Sequence, residues 1–135
     1  MSRAMVLVGI ALVVAVPAGQ AQDPVTFSYR GKTYTCTIVG TAGSDFLGAT
    51  PGRDVVCGRG GNDVLVGGGG NDVLFGGNGN DKLEGDAGRD LLLGGGGRDT
   101  FFAFDAYADY LDGGSGYDGG WADQRDRWRN VENLK

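Results

Sequence analysis

Apolar side chains return at a fixed interval along most of this chain. Leu47, Val56, Leu65, Leu74, Leu83, Leu92 and Phe101 are each nine residues apart. A carboxylate precedes each by two places, at Asp45, Asp54, Asp63, Asp72, Asp81, Asp90 and Asp99, and a glycine precedes each by four, from Gly43 to Gly97. A sustained short period outranks local propensity and predicts stacked, equivalent units. Numbered from Gly40, places seven to nine include the triplets Val64-Leu65-Val66 and Val73-Leu74-Phe75, which suit short strands. Places one to six are glycine-rich turn. Strand side chains alternate between faces, so if the eighth place points inward, the seventh and ninth point outward. Successive units then lie on opposite sides of a flattened coil, two units to a turn, with strands stacked in parallel. Glycine at the fourth place implies a backbone conformation that a β-carbon would hinder.

The pattern slips once. After Phe102 one extra residue restores the frame, so that Asp109 takes the sixth place, Leu111 the eighth, and Asp118 the sixth place of a last unit. The extra residue predicts a bulge or widened turn. Ahead of the array, residues 22–39 alternate and are rich in β-branched and aromatic residues, which predicts a hairpin around Arg30-Gly31-Lys32. The array extends over residues 40–121. Residues 122–135 form a charged tail, read as a cap and as a short helix with Trp128, Val131 and Leu134 along one side. Trp121 and Trp128 are expected to cover the open end of the stack, which repeat arrays require; the alternative is a docking patch.

Residues 1–21 carry Arg3, an apolar run from Met5 to Val16 and the small, turn-prone stretch Pro17 to Ala21. That is the layout of an export signal cleaved after Ala21. The run is too short to span a bilayer comfortably, so no stable membrane insertion is expected. Its removal leaves 11 basic against 17 acidic side chains. No basic stripe is present to meet phosphates, so nucleic acid is not an expected partner. The glycine content, 28 residues, is periodic rather than linker-like. Cys36 and Cys57 either form one disulfide, as an exported chain favours, or remain two buried thiols. With no histidine and two cysteines, a structural zinc site is not expected.

The units GGGGNDVLF, GGNGNDKLE and GGGGRDTFF match the form GGxGxDxUx, with U a large apolar residue. The chain thereby resembles the RTX-type, hemolysin-type calcium-binding repeat proteins, in their small exported bacterial form. The resemblance implies an all-β fold, a parallel β-roll (right-handed β-solenoid) with a short N-terminal hairpin and a C-terminal cap. It also implies Ca²⁺ held between turns of adjacent coils by Asp45, Asp54, Asp63, Asp72, Asp81, Asp90, Asp99, Asp109 and Asp118 with backbone carbonyls. The implied pairs are 45 with 63, 54 with 72, 63 with 81, 72 with 90, 81 with 99 and, across the slip, 90 with 109 and 99 with 118. The chemistry agrees, since Ca²⁺ takes six to eight oxygen ligands and glycine-rich turns gather carbonyls. The departures from the pattern are Thr41, Thr50, Arg59 and Asp86 at the second place and Ala49 at the first, concentrated in the N-terminal turns.

Each unit offers one clear inward side chain, a thin core, and aligned carboxylates repel one another. Folding is therefore expected to depend on the cation. Outward places on one side read Val55/Cys57, Val73/Phe75 and Leu91/Leu93, an apolar stripe, while Lys82 and Glu84 interrupt the other side. Such a stripe predicts a covering segment, a protein partner or self-association. A Cys36–Cys57 bond would pin the N-terminal segment to the first coil. Many equivalent Asp residues, and no histidine, argue against catalysis. The expected function is a secreted calcium-binding protein, a structural or interaction module that folds on binding. The alternatives are a small exported solenoid enzyme or a calcium-triggered partner-binding and folding module.

Overall fold

The computed structural model describes residues 4–8, 11–15 and 24–135, and among these there is no helix. The expectation of a cleaved export signal falls on residues 1–21, most of which lie outside the described residues. Two strands are described there, β1 (Ala4–Val8) and β2 (Ala11–Ala15), paired antiparallel. No helix among the described residues is long and apolar enough to cross a membrane.

The nine-residue pattern folds as a parallel solenoid of two six-stranded sheets. One sheet contains β5 (Ile38–Val39), β7 (Val55–Cys57), β9 (Val73–Asn78), β11 (Leu91–Gly96), β13 (Tyr110–Ser115) and β15 (Arg127–Arg129). The other contains β6 (Phe46–Gly48), β8 (Val64–Val66), β10 (Lys82–Glu84), β12 (Thr100–Ala103), β14 (Gly119–Ala122) and β16 (Asn133–Leu134). The chain alternates between the sheets, and regular neighbours pair eighteen residues apart, as Val55 with Val73 and Leu65 with Leu83. The all-β, parallel roll expected from the sequence is the fold observed.

The eighth-place side chains form the core. Leu47, Val56, Leu65, Leu74, Leu83, Leu92, Phe101 and Leu111 are all buried and stack in one column between the sheets. Fourth-place glycines are required by geometry. Gly79 has φ +122°, and a β-carbon there would strike the carbonyl oxygen of Gly61 in the preceding coil. Both the left-handed backbone and the close approach exclude a side chain.

The slip is a widened turn between β12 and β13 rather than a bulge within a strand. Leu91 pairs with Tyr110 and Thr100 with Gly119, nineteen residues apart, so the one extra residue is absorbed in the two coils that contain it. Phe104 projects from that turn, and Ala106 takes φ +79°.

The C-terminal tail differs from expectation. Residues 122–135 form no helix; β15 and β16 extend the two sheets, with Trp128 opposite Leu111 and Leu134 opposite Gly120. The reason lies in spacing: Asp126-x-Trp128 and Glu132-x-Leu134 preserve the carboxylate-x-apolar rhythm, and an open solenoid end offers strand partners that an isolated helix lacks. Trp128 thus lies over the last coil. Trp121 lies instead on an outer face, stacked on Phe102 with ring centroids 5.1 Å apart.

At the other end, β3 (Thr26–Tyr29) and β4 (Lys32–Thr35) form the expected hairpin, turning through Arg30 and Gly31 at φ 49° and 78°. Two positive φ values suit the tight turn favoured by strand twist. Ile38–Val39 already belongs to the roll, with Ile38 opposite Val56. Cys36 and Cys57 are disulfide-bonded, with Cα atoms 5.9 Å apart. The hairpin lies on the apolar stripe, where the Phe27 ring meets Phe75 at 4.6 Å and stacks on Tyr34 at 5.1 Å. Its tip reaches two coils further, where the Tyr29 hydroxyl donates to Asp112 Oδ2 at 2.7 Å. The segment expected to cover the stripe is therefore the chain's own N-terminal hairpin.

Candidate metal centres

Each turn delivers its aspartate to the edge of the core. The backbone N–H of each donates to Oδ1 of the aspartate in the next coil: Asp45 to Asp63 (2.8 Å), Asp54 to Asp72 (2.7 Å), Asp63 to Asp81 (2.8 Å) and Asp72 to Asp90 (2.7 Å). The rows continue from Asp81 to Asp99 (2.9 Å), Asp90 to Asp109 (2.8 Å) and Asp99 to Asp118 (2.7 Å). All seven expected pairs are thus neighbours, including the two across the slip. The rows run on into the tail, where Asp109 N–H donates to Asp126 Oδ1 at 2.9 Å and Asp118 N–H to Glu132 Oε2 at 2.8 Å. Asp126 and Glu132 were missed in the sequence because their units lack the glycines. A second row, also missed, uses the fifth place: Asn62, Asn71 and Asn80 accept from the backbone N–H of Asn80, Arg89 and Arg98 at 2.8–2.9 Å.

The other carboxylate oxygen sets the turns apart. In Asp63, Asp72, Asp81, Asp90, Asp99, Asp109 and Asp118, Oδ2 is buried and has no hydrogen-bond partner. A buried charged oxygen without a donor is costly, and native folds rarely leave one so. The first-place glycines show what else faces it. A β-carbon on Gly58 would meet Asp63 Oδ2 at 2.5 Å and the Gly76 carbonyl at 2.6 Å; on Gly67 it would meet Asp72 Oδ2 at 2.9 Å and the Gly85 carbonyl at 2.7 Å. A carboxylate oxygen and a carbonyl oxygen from the next coil therefore converge beside Gly58, Gly67, Gly76 and Gly94. A buried carboxylate oxygen without a donor, beside a carbonyl oxygen, fits a cation. The donor set is all oxygen, since both cysteines are in the disulfide, and that suits Ca²⁺ rather than a softer metal.

Asp45 and Asp54 differ. The Thr41 N–H donates to Asp45 Oδ2 at 2.7 Å and its hydroxyl at 3.0 Å. The Thr50 N–H donates to Asp54 Oδ2 at 2.9 Å and its hydroxyl at 2.6 Å. Ala49 places a methyl where other units have the first-place glycine. Arg59 and Asp86, the other second-place departures, adopt φ 79° and 59° and keep the turn of the glycine units.

Burial pushes these carboxyls up. Asp63 and Asp72 rise from 3.8 to about 6, against the opposing effect of the N–H bonds they accept; neighbouring carboxylates add to the rise. Asp90, Asp99 and Asp109 rise to about 7 for the same reasons. Burial also raises Asp81, Asp118 and Asp126. The rows thus hold more negative charge than the fold accommodates alone.

A two-sheeted parallel solenoid with an aspartate in each nine-residue turn, all but Asp45 buried, defines an acidic parallel β-roll. The family model of the RTX calcium-binding nonapeptide repeat (4 copies) matches residues 37–65 and 66–101, and the chain is an RTX-type repeat protein. No curated protein matches it. The repeats and the solenoid together mark a Ca²⁺-binding structural module.

Proposed function

We propose that this chain is a secreted calcium-binding protein whose roll completes its folding when Ca²⁺ enters the turns, serving as a structural or interaction module rather than an enzyme. The observation that carries this reading is the row of buried Oδ2 atoms without donors, those of Asp63, Asp72, Asp81, Asp99 and Asp118 lying beside a carbonyl of the adjacent coil. Bound Ca²⁺ would supply the positive charge that these oxygens lack. Asp63, Asp72, Asp81, Asp90, Asp99, Asp109 and Asp118 would hold it. Asp45 and Asp54, already met by Thr41 and Thr50, would contribute least, which narrows the ligand set expected from the repeat alone. The disulfide supports an oxidising compartment outside the cytosol, in keeping with the signal-like residues 1–21. The stripe of Val55, Val73, Phe75, Leu91 and Leu93 lies under or beside the chain's own hairpin, so neither a partner nor self-association is assigned to it.

The test is far-UV circular dichroism of the chelator-stripped chain during titration with Ca²⁺, with Mg²⁺ in parallel. The expected outcome is a cooperative gain of β-signal specific to Ca²⁺, with a midpoint of about 10⁻⁴–10⁻³ M as in extracellular modules. A β-spectrum already complete without metal and unchanged by Ca²⁺ would refute coupled folding.

A further inference from the structure

The widened turn at the slip brings a carboxylate that the repeat does not specify. Asp105 Oδ1 accepts the Tyr107 N–H at 2.8 Å, which fixes the side chain and leaves Oδ2 buried without a partner. One oxygen each of Asp90, Asp105 and Asp109 lies within 4.8 Å of the others, the one such group of three among the described residues. Asp90 and Asp109 are 4% and 3% exposed, and their Oδ2 atoms also lack donors. No arginine or lysine among the described residues forms an ion pair with any of the three; the recorded pair is Arg129 with Asp112.

The backbone differs here too. In the regular turns a β-carbon on the first-place glycine would meet a carbonyl of the next coil within 3 Å, Gly76 for Gly58 and Gly85 for Gly67. A β-carbon on Gly85 would instead meet Asp90 first, at Oδ2, Cβ and Cγ between 2.6 and 3.2 Å. The turn that holds the slip thus brings a third carboxylate, Asp105, beside the pair Asp90 and Asp109.

We propose that Asp90, Asp105 and Asp109 form a cation site of three carboxylates, distinct from the two-carboxylate sites of the regular turns, and that it is the tightest Ca²⁺ site on the chain. The proposal rests on the calcium reading above. Its physical basis is charge count: a third anionic ligand joins the two carboxylates of the row in a buried setting, and affinity in all-oxygen calcium sites is set by ligand charge and rigidity. The Tyr107 N–H clamp on Asp105 supplies the rigidity.

Isothermal calorimetry of Ca²⁺ binding to the purified chain, to Asp105→Asn and to Asp63→Asn tests it. The Asp105→Asn amide oxygen still accepts from Tyr107, so the turn is retained, and circular dichroism at saturating Ca²⁺ checks this. The expected result is one site about tenfold tighter than the rest, lost in Asp105→Asn and kept in Asp63→Asn. Equal isotherms for Asp105→Asn and the parent chain would overturn the proposal while leaving calcium binding intact. No saturable binding to the parent chain would overturn both readings. Should Asp105→Asn fail to fold, crystals of the parent chain with one equivalent of Tb³⁺ decide. An anomalous peak among Asp90, Asp105 and Asp109 supports the site, and a peak confined to a regular turn such as Asp63–Asp81 overturns it.

Discussion

At the scale of single residues, one oxygen atom separates two kinds of turn. Asp54 and Asp72 sit in adjacent coils of the same row and are joined by an N–H···Oδ1 bond of 2.7 Å. Asp54 Oδ2 takes two donors from Thr50, while Asp72 Oδ2 takes none. If the unpartnered oxygen is the ligand, Asp72→Asn should weaken Ca²⁺ binding at its site by about tenfold and Asp54→Asn by less than about twofold. Calorimetry on the two variants measures this, and equal losses would show that Thr50 does not substitute for the cation. The sequence made the nine aspartates legible, because a nine-residue period needs no knowledge of contacts. It did not distinguish them. The departures Thr41, Thr50 and Ala49 were visible, but a threonine reaching back onto its own turn's carboxylate depends on a local backbone geometry that spacing does not encode.

At the scale of elements, the N-terminal hairpin acts as a strap across one sheet. The Cys36–Cys57 disulfide holds it at β7, Phe27 packs on Phe75 in β9, and Tyr29 bonds to Asp112 in β13. Asp112 is buried and also meets Arg129 Nε at 3.2 Å and Asn130 Nδ2 at 2.8 Å, so the strap joins the first coil to the last. Burial and the bond to Asp112 push the Tyr29 hydroxyl pKa far up, which keeps it a donor at every physiological pH. A hydrogen bond to a charged group contributes about 1.5–3 kcal/mol, so Tyr29→Phe should lower unfolding stability in saturating Ca²⁺ by about that amount. Urea unfolding with and without reductant checks it. If the strap joins both ends, reduction of the disulfide should make the Tyr29→Phe loss smaller, and identical losses would mean that the two fastenings act separately. The hairpin and its turn were readable from alternation and from Arg30-Gly31. Its destination was not: the apolar stripe called for a cover, but several covers satisfied that demand. The tail was misread as helical because Trp128, Val131 and Leu134 also fit a helical face, whereas the exposed sheet edges of the last coil favour strands.

At the scale of the whole molecule, the calcium reading proposed above makes the two carboxylate rows a place where protons and calcium would compete. Asp63 and Asp72 are raised to about 6 and Asp90, Asp99 and Asp109 to about 7 by burial, from 3.8. A raised folded-state pKa means that the folded chain keeps protons the unfolded chain has released. That contribution to stability is complete below about pH 4 and is lost as pH rises through 6 to 7. The metal-free chain should therefore gain stability on acidification from pH 7.5 to 5, the reverse of a protein held by ion pairs. If Ca²⁺ takes the same oxygens, lowering the pH should also move the Ca²⁺ midpoint to higher concentration. Urea unfolding of resin-stripped protein at the two pH values, beside Ca²⁺ titrations followed by circular dichroism, reads both effects. A metal-free chain less stable at pH 5 than at 7.5 would mean that the rows are not charge-strained and that the calcium dependence has another origin. If both effects appear, the same carboxylates that resist folding at neutral pH are the ones that couple it to calcium, and a chain exported into calcium at neutral pH would fold there.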